Sequence, residues 1–118
     1  FDRATRLPFC FVVKELVDLL GAKLVAYIAS VTETRAVAEW ATESREPKDA
    51  SVPARLRLAL RLATFIAQHD NPQVAQAWFQ GLNPQLGDRS PARLLREGDI
   101  AEVGPEVVAA ARAFVVGG

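Results

Sequence analysis

Side chains that could perform catalysis are few and isolated in this sequence. The only histidine is His69 and the only cysteine is Cys10. A catalytic or metal site needs several such groups held together, as in H-x-x-x-H or C-x-x-C spacings, and neither spacing occurs. A glycine-rich phosphate loop and a G-x-S-x-G nucleophile turn are also missing. The sequence therefore predicts a protein that is not an enzyme and that uses no metal and no cofactor.

The two isolated groups have structural interpretations. His69 falls at the predicted C-terminal end of a helix, where the helix dipole favours an imidazolium. Cys10 lies between Phe9 and Phe11, which favours a buried thiol over a reactive one. A lone cysteine excludes an internal disulfide and is compatible with a reducing cytoplasm.

Charged residues of both signs alternate in the C-terminal third of the chain. They are Asp88, Arg89, Arg93, Arg96, Glu97, Asp99 and Glu102. Such alternation is typical of a solvated surface. The whole chain has 14 basic and 14 acidic residues, a balance that a strongly basic nucleic-acid binder would not have.

Aromatic residues beside these arginines suggest the chemistry of a protein interface. Trp78, Phe79, Leu82 and Leu86 surround turns that we do not expect to be wholly buried, and interface hot spots are rich in tryptophan and arginine. The alternative is that Trp78 anchors the core of this part of the chain. The expected contacts with a partner include Arg89, Arg93 and Arg96.

Apolar residues recur at helical spacing through most of the chain, and no alternating run is long enough to predict a sheet. The fold class is therefore all-α. No apolar run approaches the roughly 20 residues that a membrane helix needs. The predicted helices are Pro8 to Leu20, Leu24 to Ile28, one from about Thr34, Val52 to Gln68, Asn71 to Gln80, Ser90 to Glu97 and one from Gly104-Pro105.

The stretch from Trp78 to Gly98 has the densest positional signals. Asn83-Pro84 predicts a turn, and Ser90-Pro91 predicts the N-cap and first residue of a helix. Gly98 predicts the end of the same helix. Because that helix has only about two turns, it needs packing partners to be stable.

Two short helices on either side of Ser30 to Thr32 have the dimensions of a helix-turn-helix. In that motif the second helix presents polar side chains to DNA bases. Residues 1–57 carry nine basic and eight acidic residues, so their electrostatic attraction to DNA is weak, and a motif kept only for packing is an open alternative. The predicted DNA-binding residues are Thr34, Arg35, Glu39, Thr42, Arg45 and Lys48.

The stretch from Trp78 to Gly98 resembles the toxin-binding domain of the Xre/MbcA/ParS-type bacterial antitoxins. That domain has a tryptophan, a loop with Asn-Pro and a leucine, and a Pro-x-x-Leu-Leu helix closed by glycine. The segment from Leu20 to Ala41, which includes Trp40, is similar to the family's helix-turn-helix. The residues that match the toxin-binding pattern are Trp78, Asn83, Pro84, Leu86, Pro91, Leu94, Leu95 and Gly98.

The resemblance implies three regions: an Xre-like helix-turn-helix domain at 8–50, a connecting spine helix at 51–70, and a toxin-binding domain with the C-terminal tail at 71–118. The N-terminal bundle would pack through the spine helix on a small helical subdomain. The implied partner is a RES-domain toxin that destroys NAD in the cytoplasm. The toxin-binding residues would be Trp78, Asn83, Arg89, Arg93, Arg96, Phe114, Val115, Val116, Gly117 and Gly118.

In this family the antitoxin covers the active-site cleft of the toxin, with its C-terminal end at the entrance. The resemblance therefore implies that an apolar and then flexible tail, Phe114 to Gly118, reaches that cleft. It also implies a hetero-oligomer with the toxin and repression of its own operon by binding operator DNA. A homodimer is expected on other grounds, because the wide apolar surface of the helix from Val52 to Gln68 could form half of a dimer interface, and useful affinity for DNA would need two half-sites. Two alternatives stay open, namely a solitary helix-turn-helix transcriptional regulator and a helical scaffold that only dimerises.

Overall fold

A computed structural model describes residue 4 and residues 6–117 of the chain. A 3₁₀ turn at Pro84–Leu86 separates the fifth helix from the sixth. Within the described residues the only β-type pairing is one isolated bridge, so the prediction of an all-α fold is confirmed. The α-helices whose bounds fall within the described residues are α1 (Phe9–Leu20), α2 (Ala22–Ile28), α3 (Thr34–Ala41), α4 (Val52–His69), α5 (Pro72–Gln80), α6 (Pro91–Glu97) and α7 (Ile100–Gly117).

Helix α4 is the element around which the others pack. Its apolar residues are too widely distributed for one face, which predicts burial on two sides. The structure confirms this, because α4 contacts α1, α2, α5, α6 and α7. Its buried residues are Val52, Arg55, Leu56, Leu58, Ala59, Leu60, Leu62, Ala63 and Ile66.

The N-terminal and C-terminal helices also contact each other directly. Helix α1 packs on α5, and α2 packs on α6. The side-chain amide of Gln76 on α5 donates a hydrogen bond to the carbonyl of Leu19 on α1, with an N···O distance of 2.9 Å. A single cluster of buried residues runs through all three segments. The division at 8–50, 51–70 and 71–118 stays a prediction, and its three parts contribute to one core.

Several helix boundaries follow from single residues that the sequence marks. Helix α1 ends before Gly21, whose φ of +87° is a conformation that glycine adopts without strain. The side-chain oxygen of Asn71 accepts a hydrogen bond from the amide of Val74 at 2.9 Å and starts α5. The hydroxyl of Ser90 accepts one from the amide of Arg93 at 3.1 Å and starts α6. Both predicted helix starts are therefore confirmed.

Ser90 offers a direct measurement of how much its cap stabilises the fold. Replacing Ser90 with alanine removes the acceptor for the amide of Arg93, and we expect the free energy of unfolding to fall by about 1 kcal/mol. Ser90→Asp keeps an acceptor at the same place and should retain most of the stability. Urea denaturation followed by circular dichroism measures both changes, and equal losses in the two variants would contradict a capping role.

The predicted start of the last helix at Gly104-Pro105 is wrong. Helix α7 begins at Ile100, because the carboxylate of Asp99 accepts a hydrogen bond from the amide of Ala101 at 3.1 Å. Asp99 is followed three residues later by Glu102, which is a helix-start signature. Pro105 therefore lies inside α7, and an exposed first turn allows water to bind the carbonyl that a proline amide leaves free.

The flexible tail expected at the end of the sequence is also corrected. Phe114 to Gly117 continue helix α7 rather than forming an extended segment. The apolar residues before the glycines keep the helical spacing, with Ala111 buried about one turn and Val107 about two turns before Phe114. Gly118 lies outside the described residues.

Gly98 ends α6 as predicted, but for a different reason. Its φ is −92°, so it does not adopt the left-handed conformation that commonly ends helices at glycine. A β-carbon at this position would lie 2.5 Å from Cγ1 of Val103 and 2.9 Å from the carbonyl oxygen of Leu94. The glycine is therefore required by the close approach of α7 to the end of α6.

Candidate partner-binding site

An open apolar groove of about 550 Å³ lies between α5, the turn that follows it, and α7. Two of its large apolar side chains are exposed, Leu82 by 75% and Phe114 by 40%. Apolar surface that is grouped in this way on a small protein is typical of an interaction site. The groove is lined by Val74, Trp78, Leu82, Pro84, Ala110 and Phe114, among others.

Trp78 belongs both to the core and to the groove. Its side chain is 7% exposed, and its ring meets that of Phe79 edge to face with 5.1 Å between centroids. On the other side the ring of Phe114 is 6.5 Å away. The sequence left core and interface as alternatives for Trp78. The structure places it as the buried wall against which the more exposed Phe114 rests.

Two residues expected at the interface are in the core instead. Phe79 is 0% exposed and Leu86 is 2% exposed. Phe79 is on the side of α5 that faces the other helices, whereas Leu82 lies beyond the end of that helix and stays outside. Of the apolar group around the predicted turns, Leu82 is thus the residue that a partner could reach.

The turn between α5 and α6 is closed by its own hydrogen bonds. The side-chain oxygen of Asn83 accepts from the amide of Gln85 at 2.9 Å, and the backbone amide of Asn83 donates to the carbonyl of Arg89 at 3.1 Å. The Nε group of Arg89 donates to the carbonyl of Leu86 at 2.9 Å. Asn83 and Arg89 therefore fix the shape of the turn, and Asn83 also lines the groove.

The three arginines do not gather beside the groove. Arg93 forms an ion pair with Glu97 on the same helix, with 3.2 Å between Nε and Oε2. Arg96 reaches α2, where it donates a hydrogen bond of 2.8 Å to the carbonyl of Tyr27. Arg89 folds back over its own turn. Arg89 precedes α6, and α6 directs the side chains of Arg93 and Arg96 differently, so the sequence pattern could not show that the three separate.

The expected tail residues have different surroundings. Phe114 lines the groove, Val115 is partly buried against the core, and Val116 is 88% exposed. Gly117 is exposed, and Gly118 lies outside the described residues. Within the tail as described, Phe114 is the residue that the fold brings together with Trp78.

The predicted DNA-contacting face of α3 is exposed but partly neutralised. One carboxylate, that of Glu39, lies 3.1 Å from Arg45 and 3.8 Å from Arg35. The hydroxyl of Thr42 donates within the helix to the carbonyl of Ala38 or Glu39. Thr34 and Lys48 are exposed. The arrangement leaves α3 with little net positive charge of its own.

Among the described residues, Cys10 and Asp49 have pKa values shifted from their ordinary ones. The Cys10 thiol donates a hydrogen bond to the Glu43 carboxylate at 3.1 Å, and this contact raises the pKa of the thiol because a thiolate there would face a negative charge. A raised pKa makes Cys10 a poorer nucleophile. The amide and hydroxyl of Ser51 donate to Asp49 and lower the pKa of its carboxyl group.

The described residues include no group of three side chains placed to hold a metal ion, and no helix among them is long and apolar enough to cross a membrane. His69 lies at the last residue of α4, as predicted, where its Nδ1–H donates to the carbonyl of Phe65 at 2.9 Å. The groove is therefore the feature with the clearest functional chemistry.

Sequence reasoning named Phe114 as a contact residue but overlooked Ala110, one turn earlier on α7. Ala110 and Phe114 are one helical turn apart and both line the groove. Their spacing was visible, but nothing in the sequence indicates that this turn of α7 faces the end of α5.

Comparisons with protein-family models, with curated proteins and with solved structures found no match to this chain.

Proposed function

We propose that this chain is the antitoxin of a type II toxin–antitoxin pair, which binds a RES-type NAD-degrading toxin and occludes its active site. The observation that carries the proposal is the apolar groove, in which Leu82 and Phe114 stay exposed beside the buried Trp78. The resemblance of Trp78 to Gly98 to the antitoxin family supplies the class of partner. The groove is lined by residues of that stretch, by Val74 and Ala77 earlier on α5, and by α7.

The chemistry of the groove suits an apolar segment of a partner protein. Burying a leucine side chain completely stabilises a complex by about 1.5–3 kcal/mol, so Leu82 is the strongest available anchor. Trp78 and Pro84 provide a firm surface that a partner side chain can contact without a change in the core. Binding here would cover the C-terminal end of α7 and bring Phe114 to Gly117 to the partner.

The proposed protein works in the cytoplasm, is not an enzyme, and forms a homodimer and a hetero-oligomer with its toxin. A second candidate function is that of a helix-turn-helix regulator, either in addition or alone. The observation that favours it is the exposed polar face of α3, which includes Thr34 and Arg35. The ion pairs that Glu39 makes weigh against tight binding by this face alone.

A negative charge introduced into the groove tests the antitoxin proposal. Leu82→Glu places a carboxylate where the partner's apolar segment would lie, so we expect the dissociation constant for a purified RES-domain toxin to rise by about 10-fold to 100-fold. Growth of bacteria that coexpress the toxin should then no longer be rescued. Isothermal titration calorimetry measures the affinity, and cellular NAD reports the toxin's activity.

Phe11→Glu is the matched control for this substitution. Phe11 is also a large exposed apolar residue, at 48%, but it is on α1 and outside the groove. Both variants change exposed positions, so their stabilities should stay within about 0.5 kcal/mol of the parent protein. Rescue by Phe11→Glu together with failure of Leu82→Glu supports the proposal. Full rescue by both variants, or no binding by the parent chain, contradicts it.

A further inference from the structure

A second open cleft, of about 730 Å³, lies between α2, α3 and α6 and has no lining residue in common with the apolar groove. Three cationic side chains line it, Lys23, Arg35 and Arg96, against one acidic side chain, Glu33. The chain as a whole has no net charge. This cleft is therefore a local concentration of positive charge on an otherwise balanced surface.

Arg96 is held in the cleft by two contacts with Tyr27. It donates a hydrogen bond to the Tyr27 carbonyl at 2.8 Å, and its guanidinium carbon lies 4.6 Å from the centre of the Tyr27 ring. A guanidinium has five N–H donors in its plane, and stacking uses its face rather than those donors. The contacts orient Arg96 and leave N–H groups for an acidic ligand, which suits a phosphate.

The start of α3 adds a further positive element at the same cleft. Glu33, Thr34 and Arg35 line the cleft where α3 begins. Among the described residues, no side chain caps the first amides of this helix, and the dipole places partial positive charge there. The side chain of Arg35 is 80% exposed, and its pair with Glu39 is long, at 3.8 Å, so a stronger anion can compete for it.

We infer that this cleft binds a backbone phosphate of duplex DNA, with Arg96 and Lys23 as its cationic contacts, an inference that rests on the second candidate function, DNA binding through α3. The open shape and the adjoining polar face of α3 favour a long polyanion over a small enclosed ligand. Arg96, which the sequence assigned to the toxin, thus contributes to DNA binding from the C-terminal part of the chain. The helix-turn-helix and α6 together form one surface, since neither α3 nor α6 has enough free positive charge alone.

Salt-dependent binding of the whole chain to a labelled 20-base-pair duplex of random sequence tests this inference. We expect Arg96→Gln to weaken binding at low salt by about 3-fold to 10-fold and to reduce the slope of log K against log salt by about 0.9, the value for one lost phosphate contact. Lys23→Gln should act in the same direction. Fluorescence anisotropy over a series of salt concentrations measures both quantities.

Arg93→Gln is the matched control, because Arg93 is on the same helix, is exposed, pairs with Glu97 and does not line the cleft. Its salt slope should equal that of the parent chain. Thermal melting checks that Arg96→Gln is folded, and Lys23→Gln tests the same cleft without touching the Tyr27 contacts. The inference is overturned if the parent chain does not bind the duplex, or if the cleft variants keep its slope. Displacement of the duplex by equimolar inorganic pyrophosphate would likewise overturn it in favour of a small phosphate ligand.

Rescue from the toxin provides an independent readout. Lys23→Gln should rescue growth as well as the parent chain, because Lys23 does not line the apolar groove. Failure of the DNA experiment would therefore leave the antitoxin proposal standing, and failure of Leu82→Glu to affect rescue would leave the DNA inference standing. Loss of rescue in a folded Arg96→Gln variant with normal DNA binding would overturn the assignment of Arg96 to DNA.

Discussion

Replacing Phe79 with alanine should lower the free energy of unfolding by about 3–5 kcal/mol, the range for large aromatic residues in cores. Phe79 is 0% exposed and is among the largest fully buried side chains of the protein. Its ring meets Trp78 edge to face, so the substitution also removes the support on which the groove wall rests. Denaturation by urea, followed by circular dichroism and tryptophan fluorescence, measures the loss.

Leu82→Ala is the control for Phe79→Ala, because it removes an apolar side chain only three residues away. Leu82 is 75% exposed, so its substitution should change stability by less than about 0.5 kcal/mol. Domains of this size are stable by about 5–15 kcal/mol, so Phe79→Ala removes a large fraction of that total. A loss below about 1 kcal/mol in Phe79→Ala would show that the interior assignment of this residue is wrong.

The second large effect is expected from a single added methyl group at Gly98. Gly98→Ala should destabilise the fold by about 1–3 kcal/mol, because the new β-carbon would lie 2.5 Å from Val103 and 2.9 Å from the carbonyl of Leu94. The φ of −92° is open to alanine, so the cost comes from the steric clash and not from the backbone angle. Chemical denaturation measures the change.

A double-mutant cycle separates the two contacts of this β-carbon. Val103→Ala removes both methyl groups of Val103, which would lie 2.5 and 3.1 Å from the β-carbon added at position 98. In the Val103→Ala background, Gly98→Ala should therefore cost less than in the parent protein, by about 0.5–2 kcal/mol. If the two changes are simply additive, the close approach of α7 to the end of α6 is not what requires the glycine.

Helix starts that depend on one side chain were predictable from the sequence. Ser90 and Asn71 each accept a hydrogen bond from the backbone amide three residues ahead, and the following proline occupies a position where no amide is needed. The start of α7 was predicted wrongly because Gly104-Pro105 was taken as the helix start. Asp99 and Glu102 are the residues that mark the actual start. At α5 and α6 a capping residue directly precedes the proline, whereas the residue before Pro105 is Gly104.

The candidate site was only partly predictable because local spacing does not fix which helix faces which. Trp78 and Phe114 were both singled out, and the fold brings them within 6.5 Å. Arg93 and Arg96 were grouped by their proximity in sequence, yet one pairs within α6 and the other reaches Tyr27. Their separation depends on the packing of α6 against α2, which is a tertiary contact.

The bridge between Asn83 and Arg89 also affects the entropy lost when the groove is occupied. A loop that is ordered only on binding loses conformational freedom in the complex, which weakens the affinity that its contacts would otherwise give. Here folding itself orders the loop, through the backbone bond at 3.1 Å and the cap on Gln85. On association, therefore, it is mainly the side chains of Leu82 and Phe114 that lose conformational entropy. A partner would meet a surface that already has its bound shape.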